Sequence, residues 1–327
     1  MARHSSSRHF IARTSITRTS ISQTSLMAGA LLLGGALAAG GPGRAVASAP
    51  AAAVPSPAAA RPLSRYSGLS APESVLYDAA GDRYLVSNVN GNPTERDGNG
   101  FISVLSPSGE ITALKWIEGG KNGVKLDAPK GLALVKGTLY VADISVVRTF
   151  DARTGAPRGD IAVPGSTFLG DLVAGADGKI YLTDVGPPQG EFDGAGTEAV
   201  YVLKGNRARP LAKGSELGRP DGLAWSEKGP VISPFGSDEI YRLDAHGKRQ
   251  DVTKLPAGGL AGIVRLGDGY LVASWQTSSI YRGKLGGPFQ VALAGQRSPA
   301  DIGYDTRRAR LLVPHFTEGT VEAFALE

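Results

Sequence analysis

Cysteine is absent from the 327 residues, so neither a disulfide nor a thiol nucleophile is available and the fold must rest on its core and its hydrogen-bond ladders. No acidic residue precedes Glu73. The longest apolar run, residues 26–39, is short of the ~20 residues needed to span a bilayer. No segment carries a convincing helical period, and aromatic residues make up only 7% of the chain. The phosphate-cradling G-x-x-x-x-G-K-[ST], the nucleophile elbow G-x-S-x-G and the zinc motif H-E-x-x-H are all missing, which removes support for nucleotide binding and serine-hydrolase chemistry.

The acid-free start has a positive use. Arg3, Arg8, Arg13 and Arg18 precede the apolar run, and small residues around Ala47 and Ala49 offer cleavage sites. Residues 1–49 therefore read as a secretory signal peptide, with a mitochondrial transit peptide as the alternative. The predicted location is secreted or periplasmic, with no membrane attachment after cleavage. Residues 50–66 are Ala/Pro-rich and are expected to form a disordered linker, leaving 67–327 as the folded domain. The net charge of +5 is carried by the leader: five of the 35 basic residues lie before Ala49, which leaves 30 basic against 30 acidic residues. A neutral body has no field to track phosphates, so no nucleic-acid partner is expected.

High glycine (45) and proline (21) suit many tight turns, and 42% hydrophobic residues argue against disorder. One unit recurs six times, at 72–88, 129–143, 170–184, 220–234, 260–274 and 299–315: a polar opening residue, an apolar run, a turn, and an apolar strand with a polar end. Each unit predicts a hairpin. The opening residues at 73, 130, 171, 221, 261 and 301 are 57, 41, 50, 40 and 40 apart, against ~40–45 for a four-stranded propeller blade. Further short strands fall between the copies at 101–106, 199–204, 239–244, 279–284 and 320–326. The fold expected is an all-β, six-bladed β-propeller, closed by residues 61–69 acting as the outer strand of the last blade.

Antiparallel pairing brings both ends of each hairpin to one mouth of the channel. The opening ring is Glu73, Lys130, Asp171, Asp221, Ala261 and Asp301, and the closing ring is Asn88, Asp143, Asp184, Pro234, Ser274 and His315. Insertions at 89–100, 116–128 and 185–197 build up that same face, which marks it as the working side. For any single Asp or Asn here, a bond to turn backbone is the competing reading. His315 could act as a general base or be a hydrogen-bonded residue at a blade edge. Trp275 could stack on a flat ligand or pack. The oxygen-rich loop 88–99 begins like a calcium loop, but Pro93 and Asn99 break the pattern, which favours a turn-rich lid.

The repeats, with Pro-Asp-Gly-Leu at 220–223, Pro-Lys-Gly-Leu at 129–132 and Glu73 ahead of Tyr77 and Asp78, resemble the gluconolactonase and senescence-marker-protein family over residues 68–325. The resemblance implies a divalent cation, calcium or zinc, on the channel axis, polarising a lactone or ester while an acid moves protons. Glu73 matches the first-blade ligand, and Asp221 stands where the family places an Asn ligand. Asp171 adjoins Gly170, which replaces another Asn, and the fifth-blade acid is Ala261 or Gly262 here. Lys130 departs further, since an ammonium about 6 Å from a divalent ion is repelled by about 5 kcal/mol.

The leading expectation is a hydrolase of a small lactone or ester. Glu73 and Asp221 would hold the cation, helped by Asp171 or Asn88. Asp301 or His315 would activate water, and Lys130, Asp143, Asp184 and Trp275 would surround the substrate. A non-catalytic binding propeller built on Lys130 and Trp275 is the alternative, and a lyase using the same mouth is a third. A monomer with a small-molecule ligand is expected.

Overall fold

A computed structural model describes residues 61–187 and 196–326. The leader, nearly all of the linker and most of the third insertion lie outside the described residues. Six antiparallel four-stranded sheets make a six-bladed propeller. Strand β1 (Ser64–Ser67) comes first. Blade 1 follows as β2 to β5 (Pro72–Asp78, Arg83–Asn88, Phe101–Leu105, Ile111–Glu118), and blade 2 as β6 to β9 (Pro129–Val135, Thr138–Asp143, Val146–Asp151, Pro157–Ala162). Blade 3 is β10 to β13 (Leu169–Ala174, Ile180–Asp184, Ala199–Lys204, Arg207–Lys213). Blade 4 is β14 to β17 (Pro220–Ser226, Gly229–Pro234, Glu239–Leu243, Arg249–Lys254). Blade 5 is β18 to β21 (Leu260–Leu266, Gly269–Ser274, Ser279–Gly283, Phe289–Ala294), and blade 6 is β22 to β24 (Gly303–Asp305, Arg310–His315, Thr320–Ala325) completed by β1. Among the described residues the only helical element is a three-residue 3-10 turn, Ser215–Leu217.

The ring closes as the closure argument requires: Ser64–Ser67 pairs antiparallel with β24. Leu63 already donates to the Ala323 carbonyl, so residues 63–66, expected in the linker, belong to the folded domain. Apolar residues of neighbouring blades interdigitate, as where Leu85 and Ile102 of blade 1 meet Leu132, Val141 and Phe150 of blade 2. Tyr201, Tyr241 and Tyr281 repeat every forty residues on the third strands, each almost fully buried.

Two features shape the channel. In blades 1 to 5 the inner hairpin carries a register shift at the opening residue, and such bulges re-aim side chains at a rim. The residue after it is often glycine because the next inner strand passes there: a Cβ at Gly131 would strike Asp171, and one at Gly222 would strike the Ala261 carbonyl. The sixth hairpin differs from expectation. Only Gly303–Asp305 forms a strand, because the chain at Asp301 leaves its own ladder to pair with Ser74 of blade 1. The Asp301 amide donates to the Glu73 carbonyl at 2.8 Å, which joins the last blade to the first along the channel wall.

Candidate functional site

The mouth holds a cavity of about 240 Å³ whose floor carries Glu73, Lys130, Asp221 and Arg219. Its walls are apolar. Val89, Val185, Phe235, Trp275 and Phe316 each directly follow a closing-ring residue, and Phe168, Pro93, Ala261 and Ala300 complete the lining. Trp275 sits between Phe235 and Phe316, with ring centroids 6.1 and 5.9 Å away.

Lys130 is buried, yet no carboxylate reaches ion-pair distance among the described residues. Its Nζ donates to the carbonyls of Pro93 and Ala128, both at 3.1 Å, and lies 4.2 Å from the Phe168 ring centroid. Burial lowers the ammonium to about 8, against the pull of Glu73, Asp143 and Asp221. Glu73 is pushed well above the ordinary carboxylate range by burial and by the negative charges of Asp301 and Asp221. Its Oε2 is buried with no hydrogen-bond partner. Burial and Asp301 raise Asp221 to about 7, with Arg219 and Lys130 opposing.

Asp171 and Asp301 face another way, lining a second cavity of about 280 Å³ that runs along the inner strands toward their far ends at Tyr77, Val173, Trp225 and Arg265. Asp171 accepts the amides of Leu172 (2.5 Å) and Leu223 (2.8 Å), while Asp301 accepts the Ser74 hydroxyl (2.5 Å). Burial, then Asp301, raises Asp171 well above its usual range, and burial raises Asp301 to about 6.

The closing ring is turned away from the channel and acts as a set of latches. Asn88 accepts from the Ser70 amide. Asp143 accepts from the amides of Asp127 and Ala128, and Asp184 from those of Thr167 and Phe168. Ser274 donates to the Gly258 carbonyl, and His315 Nδ1 meets the Arg297 carbonyl at 2.8 Å. In each case the side chain grips the segment leading into its own blade. Strand alternation then turns the following residue toward the mouth. Asn88, Asp143, Asp184 and His315 are therefore placed behind the wall rather than on it, and His315 Nε2 lies buried 3.4 Å from Glu322.

Asp143 also accepts from Arg148 Nε at 2.8 Å, and both side chains are buried. Asp143→Ala strands that guanidinium with only its longer or more exposed contacts to Asp127 and Asp160. Denaturant unfolding is expected to show a loss of about 3–5 kcal/mol; a loss under about 1 kcal/mol would contradict the latch role.

A divalent cation does not fit these donors. The Asn88 oxygen is taken by Ser70, the Asp171 oxygens by two amides, and one Asp301 oxygen by Ser74. Glu73 and Asp221 remain, beside an ammonium and a guanidinium, where calcium takes six to eight oxygens and zinc four ligands. Among the described residues no group of three or more His, Asp or Glu is arranged around a common metal position. Loop 88–99 spends its oxygens on itself: Asn92 caps Thr94, and Asp97 binds Asn99. It forms a turn-rich cover whose Pro93 closes over Lys130.

Sequence reasoning missed Arg219 and all the cavity aromatics except Trp275. The aromatics had a signal, an apolar residue after every closing position from Val89 to Phe316. Arg219 had none.

No family model matches the chain, and no curated protein does. Solved structures do match. A gluconolactonase from Xanthomonas campestris aligns with TM-score 0.60 and 16% identity over 80% of this chain and 88% of its own. Virginiamycin B lyase from Staphylococcus aureus aligns with TM-score 0.55 and 14% identity, covering 80% and 99%. A chain of a nidogen/laminin complex aligns with TM-score 0.52 and 17% identity, covering 69% and 86%. At these identities the shared property is the propeller, and gluconolactonases are among the proteins that share it.

Proposed function

We propose that this chain is an exported hydrolase of a small lactone or ester, acting at the aromatic-walled mouth without a metal. The observation that carries the reading is the buried, unpartnered Glu73 oxygen beside Lys130 and Asp221 on the floor of that cavity. Two carboxyl groups beside a lysine and an arginine supply what acyl transfer to water requires. Asp221, raised to about 7, takes a proton from water, whose oxygen attacks the acyl carbon. The oxyanion that forms faces the Lys130 ammonium. Glu73, whose carboxyl group burial and the neighbouring acids push well above the ordinary range, gives its proton to the leaving oxygen as the C–O bond breaks, so a lactone yields its hydroxy acid. The basic leader and Ala/Pro-rich tether support a secreted or periplasmic location, and the neutral body supports a small-molecule ligand.

The test is a panel of lactones and esters offered to the purified protein, with and without chelator. Turnover is expected to be unchanged by chelation. It should rise with pH as Asp221 ionises near 7 and fall as Lys130 loses its proton near 8, giving a narrow maximum between them. Loss of turnover on chelation, restored by calcium or zinc, would refute the metal-free mechanism. A second reading, a binding propeller without chemistry, is favoured by the two carbonyls that hold Lys130 still. Ligand capture with no turnover across the panel would decide for it, and product formed without incorporation of labelled water oxygen would indicate a lyase.

A further inference from the structure

Arg219 is the cation in the cavity that no described residue holds. Its guanidinium makes no hydrogen bond and no ion pair among the described residues, and its Nε is buried without a partner. Lys130, by contrast, spends two donors on carbonyls. The local backbone aims Arg219 deliberately. Its φ of 62° lies in the left-handed region, which a residue with a Cβ adopts when its surroundings impose it. The Phe235 amide donates to the Arg219 carbonyl at 2.9 Å, and the Gly236 amide to that of Gly218 at 3.0 Å. Gly236 lacks a side chain where the Arg219 stem passes: a Cβ there would stand 3.2 Å from both Cγ and Cδ.

A guanidinium with all five donors unspent, beside flat aromatic walls, matches a planar anion that takes two parallel N–H bonds. We propose that the cavity binds the carboxylate of a small, flat, ring-bearing acid, with the carboxylate forked on Arg219 and the ring against Phe235, Trp275 and Phe316. This rests on the hydrolase reading for its meaning and sharpens it: the ester or lactone turned over carries a free carboxylate. A phosphate is disfavoured because its second negative charge would face Asp221, the general base on the same floor.

Isothermal titration of the purified protein with phenylacetate, phenylacetamide and inorganic phosphate tests the proposal without any turnover. Phenylacetate is expected to bind at least about tenfold more tightly than its amide, a ratio typical of hydrogen bonds to a charged group. Arg219→Gln should weaken phenylacetate roughly 10- to 100-fold and leave the amide unchanged. Arg219→Lys keeps the charge without the fork and should fall between them, and it serves if the Gln variant melts early. Equal binding of acid and amide, equal binding of phosphate, or full phenylacetate affinity in both variants overturns the proposal. An inactive ester panel with phenylacetate binding intact sinks the hydrolase reading alone, whereas active hydrolysis without phenylacetate binding sinks this one alone.

Discussion

Asp221→Asn is expected to lower hydrolysis by on the order of 10²–10⁴ while raising the melting temperature at pH 8. The two effects have one cause. The native state holds the Asp221 proton up to about pH 7, whereas the unfolded chain releases it near 3.8, so the wild-type protein loses stability as pH climbs through that window. At pH 8 the folded protein carries a buried charge that burial and Asp301 both oppose, and Asn removes it. The gain should be on the order of 10 °C at pH 8 and shrink toward pH 4, where the folded state is protonated and the unfolded chain about half so. Glu73→Gln should behave alike, since its carboxyl group is pushed well above the ordinary range by burial and by Asp301 and Asp221. Calorimetry at the two pH values, beside turnover of whichever panel substrate is active, reads both halves. Less than tenfold loss of turnover in both variants would end the acid–base assignment, and a lower melting temperature at pH 8 would show that the charges are compensated after all.

A chain beginning at residue 71, which lacks β1, should melt on the order of 10 °C lower and associate in solution. Tyr66 is 1% exposed, donates its hydroxyl to the Ser106 carbonyl at 2.7 Å and packs edge-on against Tyr84 at 6.3 Å. Losing a buried aromatic of this kind costs about 3–5 kcal/mol, and each kcal/mol moves the melting point by about 2–4 °C in a domain of this size. The truncation also bares β24, whose backbone now pairs with Ser64–Ser67, and a free edge recruits other strands. Calorimetry and size-exclusion chromatography would reveal both changes. An unchanged melt and a monomeric profile would mean that the ring does not depend on its closing strand.

The forty-residue period, the hairpin ends and the closing role of the segment before residue 70 could be read in the sequence, because apolar alternation and turn residues are local properties of the chain. Position in the opening ring was legible for the same reason, and Glu73, Lys130 and Asp221 stand on the cavity floor where it put them. Direction was not. Asp171 and Asp301 occupy equivalent repeat positions but point down the channel, since one is held by the Leu223 amide of the next blade and the other by Ser74 of the first. At the closing ring the polar residue looked like the functional one, yet a period of two places it and its apolar neighbour on opposite sides, and only the latch to the incoming segment decides which side is which. Arg219 enters the cavity through a left-handed φ and past a glycine in the turn after β15, neither of which is legible in the repeat pattern. Protonation followed contacts as well: that Lys130 meets two carbonyls instead of a carboxylate depends on Pro93, thirty-seven residues away. Local patterning by itself determined how many blades there are and, to within a residue, where the first five begin. Which side chains meet, and with what charge, was decided by tertiary contacts, since burial and electrostatics depend on distances between blades that no single repeat encodes.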